Sequence, residues 1–279
     1  MSALHISISA EPVFHIGFLV ISNSMLTSLV VTGLIVLFCL IVRSSLKMKG
    51  KPGRLQSFAE LIIQSLLSLC EDITGSRVLA REFLPVVVAF FLFIILNNWL
   101  GLLPGVGSIG FRAHPGETES VVMAPVSEVH AKGPESAVEK TAATEGEFIP
   151  YFRAGTADLN TTIALALISV GLTQYIGFKH LGFSYIKKYI NFHDPINFFV
   201  GILETVLEFA KIMSFAFRLF GNIFAGEVLL AVMTFLVPVI VPMPFYGLEL
   251  FVGFIQALVF SMLSLVFFNL ATLGHGEEH

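Results

Sequence analysis

Charged residues are scarce in this sequence: Asp, Glu, Lys and Arg make up 13% of the 279 residues, while hydrophobic residues make up 55%. A soluble domain carries about 25% charged residues, so the composition argues against a soluble globular protein. The formal net charge of −4 is small, which disfavours nucleic acid as a partner because surfaces that bind it are strongly basic. The composition is typical of a protein that lies in a lipid bilayer.

Cysteine is nearly absent, and the two cysteines, Cys39 and Cys70, fall in or beside apolar runs. Their spacing fits neither a metal site nor a disulfide framework, so we predict that both are packing residues and expect no metal and no cofactor. Basic residues are missing before Arg43. Because a secretory signal opens with a positively charged segment, we expect none of the usual kind here.

Long apolar runs, in contrast, are abundant. They cover residues 17–42, 83–103, 161–178, 196–237 and 245–273. A membrane-spanning helix needs about 20 such residues, and the runs are too continuous for the alternating strands of a barrel. We therefore predict an all-α membrane protein with five membrane helices. The segment 55–75 is apolar at helical spacing with acidic residues interspersed, and this pattern predicts one amphipathic helix at the membrane surface.

Basic residues predict the orientation of the chain, because they are enriched in cytoplasmic loops. They follow the first and third runs: Arg43, Lys47, Lys49, Lys51, Arg54, Lys179, Lys187 and Lys188. The loop at about 104–157 is mostly acidic, so we expect it outside, together with the N-terminus, and the C-terminus in the cytoplasm. We treat residues 1–279 as a single transmembrane domain without internal repeats, which argues against an inverted-repeat transporter.

The fourth run is too long for a straight crossing. Its residues 196–237 would form a helix of roughly 60 Å, whereas the hydrocarbon core is about 30 Å thick. The run either breaks into a hairpin or lies steeply tilted. We favour one long tilted helix that turns at Pro238, Pro242 and Pro244 and returns as the fifth run, so that the two helices form a hairpin.

The last two runs contain polar residues that a bilayer disfavours. These residues are Glu204, Glu208, Lys211, Arg218, Asn222, Glu227, Glu249 and Gln256. An arginine at mid-bilayer costs about 3 to over 10 kcal/mol, so such side chains must face protein or water. Glu208 and Lys211 are three residues apart on one helix and could form a purely structural ion pair. Gln256 could simply pack against a polar neighbour.

Arg218 has no acidic residue three or four positions away, so its partner must lie on another helix or another subunit. At about 100° per residue, Glu204, Lys211 and Asn222 share its stripe, whereas Glu227 points to about the opposite side.

A hairpin at the prolines would bring Glu249 near Glu227 and Gln256 near Arg218. Two adjacent carboxyls cannot both ionise cheaply, so we expect the two glutamates to share a proton, as a proton-handling site requires.

Residues 217–227, which read FRLFGNIFAGE, closely resemble the signature of subunit a of F-type ATP synthases. Three further strings are similar to that family in the same order: NWLGLLP at 98–104, TADLNTT at 156–162, and Gln256 followed by Ala257. The acidic loop is longer than in compact members. The position of Glu249 holds a histidine in some members, so a glutamate at both positions is a variant of the pair.

The resemblance implies a proton-translocating stator subunit without a catalytic site of its own, in the inner membrane of a bacterium. Its expected partners are a rotating ring of c subunits, the b subunits of the peripheral stalk, the lipid bilayer and, indirectly, the F1 sector. A ring carboxylate would then be the partner of Arg218, which drives proton release and blocks a direct passage of protons.

Two half-channels must then open on opposite sides of Arg218. We assign Glu227, Glu249, Asp158 and Asn160 to the outer half-channel because Asp158 begins a run at the outer surface. We assign Glu204, and with it Glu208, to the inner half-channel.

Two other classes of function fit a polytopic protein. A self-contained channel or secondary transporter would need a complete site and gate within this chain, and the unpaired Arg218 argues against that. A structural anchor has no use for five ionisable residues along one span.

Overall fold

The structure is a computed structural model. It describes residues 12–16, 19–46, 53–103, 110–112, 148–151, 153–182, 185, 195–237 and 240–273.

Within these ranges the chain is dominated by six long α-helices. They are α1 (Asn23–Ser45), α2 (Arg54–Thr74), α3 (Arg77–Leu102), α4 (Leu159–Leu181), α5 (Pro195–Leu236) and α6 (Pro242–Thr272). All but α2 are long and apolar enough to cross a membrane. The predicted architecture of five membrane helices and one amphipathic helix is therefore confirmed.

The helices begin at different points from the apolar runs. Part of the first run is a strand, β2 (Leu19–Ser22), which pairs antiparallel with β1 (Pro12–Ile16). Helix α1 follows once the Ser22 hydroxyl accepts a hydrogen bond from the Met25 N–H at 3.4 Å. Helix α3 begins at Arg77, before its apolar run. Hydropathy detects the apolar part of a helix and misses its polar first turns.

Helix α5 is continuous over 42 residues, which corresponds to about 63 Å at 1.5 Å per residue. The prediction of one long helix is confirmed, and the alternative of a break is wrong. The turn lies between Leu236 and Pro242, and α6 starts on that proline, which suits the first position of a helix because proline lacks the N–H that is unbonded there.

Helices α5 and α6 pack against each other as the predicted hairpin. Their contact includes the rings of Phe215 and Phe260, whose centroids are 4.9 Å apart. Their tilt is defined only relative to a bilayer and stays a prediction.

Aromatic side chains fill the centre of the bundle, where α3 packs against both α2 and α6. The ring of Phe83 lies 5.8 Å from that of Phe268, and Phe90 lies 5.4 Å from Phe260. Helix α2 turns Leu66 and Cys70 toward this core and leaves Glu60 and Asp72 exposed, so it is amphipathic as predicted.

Part of the acidic loop is not peripheral. Strands β3 (Gly110–Arg112) and β4 (Phe148–Pro150) pair with each other, and residues 153–158, hereafter the wedge segment, enter the bundle between α1, α3 and α5. A Cβ on Gly155 would lie 2.3 Å from both the Asn97 Oδ1 and the Ser28 Oγ. Only glycine fits so close an approach, and the wedge segment is therefore locked between the helices.

Candidate functional site

Glu227 and Glu249 lie together on the α5–α6 hairpin. Both side chains line a cavity of about 180 Å³, together with Asn98, Gly101, Ala154 and Tyr246, among others. Two negative charges in so small a space would repel each other. The hairpin therefore brings the two carboxyls into one polar space, where two groups that exchange protons can cooperate.

Glu249 is the more deeply buried of the two glutamates, with 5% of its surface exposed. Its Oε1 has no hydrogen-bond partner in the described chain. Its carboxyl lies directly against Gly226, where a Cβ would come within 2.1 Å of the carboxyl atoms. A buried acid without a partner is costly, so this group must take up a proton or find water when the protein works.

Glu227 has a partner that sequence reasoning missed. The Nε and Nη2 atoms of Arg153 donate to its Oε2 at 3.1 and 3.0 Å. Arg153 stands at the start of the wedge segment, and its backbone N–H donates to the Thr27 hydroxyl at 3.3 Å. The sequence places Arg153 in the outer loop, where no pattern marks it as a functional residue. Its position just before a string that resembles the family was the available signal.

Hydrogen bonds from α3 and the wedge segment hold α6 in position beside Glu249. The side-chain amide of Asn98 donates to the Gly253 carbonyl at 3.2 Å and accepts a hydrogen bond from Thr156. The indole N–H of Trp99 donates to the Leu250 carbonyl at 3.1 Å. Each hydrogen bond contributes only about 1 kcal/mol, but together they set the position of the helix that carries the buried glutamate.

Asp158 and Asn160 are placed differently from the glutamates. Asp158 caps α4: its Oδ1 accepts the Asn160 N–H at 3.0 Å, and its Oδ2 accepts the Ser24 hydroxyl at 2.8 Å. The side chain of Asn160 is exposed. Neither residue lines the cavity of the glutamates. The hydrogen bonds of Asp158 instead hold α1 and α4 together at their starts.

Arg218 is exposed on the outside of the bundle. It donates to the Ser214 hydroxyl at 3.3 Å, and over the described ranges it has no carboxylate within ion-pair distance. One turn further along α5, the Asn222 amide donates to the Gln256 Oε1 at 3.3 Å. Gln256 thus meets the stripe of Arg218 one turn beyond the arginine itself, and its own buried Nε2 has no partner among the residues described.

Glu208 and Lys211 form the structural ion pair that their spacing allows, with 2.7 Å between Oε1 and Nζ. The Lys211 ammonium also lies 4.8 Å from the centroid of the Phe267 ring on α6, and such a contact adds about 0.5–1 kcal/mol or more. Glu204 is half-buried one turn earlier on α5.

The part of the chain that the structure describes contains no group of three His, Cys, Asp or Glu side chains that could hold a metal ion. The chemistry available to these residues is proton exchange at carboxyls and charge pairing at an exposed arginine.

Comparison with known proteins assigns the chain to a family. The sequence model of the family "ATP synthase A chain" matches residues 25–269, from α1 to α6. The chain is also 33% identical over 233 residues to the "ATP synthase subunit a" of Gloeobacter violaceus, an alignment that covers 84% of this chain and 77% of that protein. Taken with the five membrane helices, these matches show that the chain belongs to the ATP synthase A chain family, the subunit a component of the membrane sector F0.

Proposed function

We propose that this subunit carries protons to and from a rotating ring of c subunits through two half-channels that Arg218 separates. The observation that carries the proposal is the exposed guanidinium of Arg218 on a membrane helix, bonded within the described chain only to Ser214. A bare arginine in lipid costs about 3 to over 10 kcal/mol. A carboxylate on a neighbouring subunit would remove most of that cost.

A carboxyl on the ring changes its protonation as the ring turns. Facing lipid, it stays protonated because a buried charge is expensive. Beside Arg218 the ionised form is favoured, since an opposite charge within about 4–6 Å stabilises a carboxylate. Arg218 therefore drives the release of the proton, and its positive charge repels a proton that would pass straight from one side to the other.

The two half-channels deliver and remove this proton. We assign the cavity of Glu227 and Glu249 to the outer half-channel, because it lies beside the wedge segment at the end of the acidic loop. Asp158 and Asn160 belong to the same outer region, with Asp158 holding the helix ends that frame it. Asn222 and Gln256 continue the polar path from the cavity toward Arg218. We assign Glu204 to the inner half-channel, near the start of α5.

Each proton that crosses 100 mV releases about 2.3 kcal/mol, which turns the ring. This chain then contributes no catalytic site, and ATP is made by the F1 sector to which the ring is coupled. The b subunits of the peripheral stalk hold this chain against the torque. The N-terminus lies outside and the C-terminus in the cytoplasm of a bacterial inner membrane.

A photo-crosslink tests the placement of Arg218 against the ring. Ser214 is exposed one turn from Arg218, so a cysteine at Ser214 that carries benzophenone maleimide should crosslink to c subunits in the assembled complex. The control is a cysteine at Leu37, which is exposed on α1, away from α5.

Crosslinking to the ring from Leu37 and not from Ser214 would overturn the proposal. Reconstitution offers a second check, because this subunit should move protons through membranes only when ring subunits are present. Proton flux through the isolated chain at the rate of the complex would indicate a self-contained channel.

A further inference from the structure

We propose that Arg153 is a positioning residue that gives the two glutamates unequal tasks: it fixes Glu227 at the cavity wall and leaves Glu249 to carry the proton. This inference rests on the proposed function, because it assumes that protons pass through the cavity that the glutamates line.

The contact between Arg153 and Glu227 is a well-formed and largely buried ion pair. Both nitrogens of the guanidinium fork meet the same Oε2 atom, at 3.1 and 3.0 Å. The side chain of Arg153 is only 13% exposed, and that of Glu227 is 30% exposed. By contrast, the pair of Arg77 with Glu71 involves an arginine that is 68% exposed. Exposed pairs contribute little, whereas removing one partner of a buried pair is strongly destabilising.

The backbone of Arg153 is held in place. Its N–H donates a hydrogen bond to the Thr27 hydroxyl. The next residue, Ala154, lies so close to Gly101 that a Cβ added to this glycine would be 2.5 Å from the Cβ of Ala154. The guanidinium is thus attached to a locked segment, which limits how far it can follow Glu227 if that carboxyl moves into the cavity. Glu227 is held at the wall.

The polar side chains around Glu227 come from three elements. The wedge segment supplies Arg153, helix α6 supplies Glu249 and the phenol of Tyr246, and α3 contributes the uncharged Asn98. One cation therefore faces two carboxyls. Uptake of one proton makes the set neutral, which a site of low dielectric favours. Because Arg153 occupies Glu227, that proton belongs on Glu249, which is buried and has an unbonded Oε1 in the described chain.

Single substitutions should move the pH dependence of transport in opposite directions. The measurement is proton transport by the whole complex in vesicles, as a function of pH on the side of the acidic loop. Arg153→Gln removes the cation, so Glu249 holds its proton to higher pH and the pH of half-maximal transport rises by about 1 unit. Glu227→Gln leaves the cation without its partner, and the half-maximal pH falls by a similar amount.

Two further variants separate positioning from a purely structural role. Arg153→Lys keeps the charge and should keep the half-maximal pH within about 0.3 unit even if the rate falls, since the ammonium lacks the planar fork. The double variant Arg153→Gln with Glu227→Gln removes one charge of each sign and should restore the parental half-maximal pH. An anchor without influence on Glu249 would change the rate or the assembly in these variants and leave the pH dependence unchanged.

Immunoblots of the membranes report how much complex assembles in each variant. If Arg153→Gln does not assemble, Glu227→Gln alone decides, and a half-maximal pH that stays the same or rises would overturn the inference. The same vesicles with Arg218→Ala distinguish the proposed function from the role of Arg153. Transport that persists in Arg218→Ala contradicts the proposed function, whereas its loss together with an unmoved pH dependence in Arg153→Gln contradicts only the role given to Arg153.

Discussion

The carboxyl of Glu249 lies against Gly226 on the facing helix, and a Cβ at position 226 would come within 2.1 Å of three of its atoms. Both residues are buried in the α5–α6 hairpin. The glycine therefore sets where the carboxyl can be, although it has no polar side chain of its own.

Gly226→Ala should displace this carboxyl without unfolding the bundle, because the end of a flexible side chain can move aside. A shift of about 1 Å in a reacting group can cost up to about 100-fold in rate, so we expect transport to fall about 10- to 100-fold while the complex assembles normally. Proton pumping and immunoblots of the membranes check this. The matched control is Gly171→Ala, where an added Cβ meets nothing within 4 Å. Equal transport in the two variants would disprove the steric role of Gly226.

Arg218→Ala should abolish ATP-driven proton transport, while the F1 sector still hydrolyses ATP after it is detached from the membrane. Arg218→Lys should also be severely impaired, because an ammonium is a strongly hydrated point charge that loses its proton more readily on burial. Dye quenching in vesicles measures the pumping. Near-normal coupled pumping in Arg218→Ala would contradict the mechanism.

Burial raises the pKa of the Cys70 thiol to about 11. At pH 8 this leaves about one thiolate per thousand molecules, on the order of a hundredfold fewer than for an ordinary cysteine. In a Cys39→Ala background we therefore expect negligible alkylation of the native protein by iodoacetamide at pH 8, and full alkylation after denaturation.

The raised pKa of Cys70 also makes the stability of the folded protein depend on pH. Unfolding exposes a thiol that ionises more easily, so stability from this residue is full at neutral pH and falls as the pH rises toward 11. Rapid labelling of native Cys70 at pH 8 would show that α2 does not stay packed against α3.

Cysteines at Ser120 and Lys187 should be labelled from the outside and from the cytoplasmic side, respectively. Both positions lie outside the described residues. The described chain supports opposite ends for the two loops, because Lys179 at the end of α4 pairs with Glu82 at the start of α3, at 2.6 Å. An impermeant maleimide applied to intact cells and to inverted vesicles makes the comparison, and labelling of both positions from one side would refute the topology.

The sequence predicts the membrane helices well, because a span must satisfy every backbone hydrogen bond internally and be apolar over most of its length. It also predicts that Glu227 and Glu249 lie near each other, because residues of a helical hairpin that are equally far from the turn lie side by side. The Arg153–Glu227 pair is beyond such reasoning, because 74 residues separate the two and no helical periodicity connects them. Asp158 could have been identified as a cap, since an aspartate directly before an apolar run is a common helix start.

The close approach of Ala154 to Gly101 places the end of α3 and the start of the wedge segment at one point. The two ends of the connecting chain therefore lie close together, as do the paired strands β3 and β4, so the length of the connection imposes no strain on the helices. Doubling the length of a flexible loop costs only about 0.6 kcal/mol in closure entropy. We therefore expect the complex to tolerate a folded reporter domain with adjacent termini inserted between residues 113 and 147, as a handle for purification or single-molecule attachment.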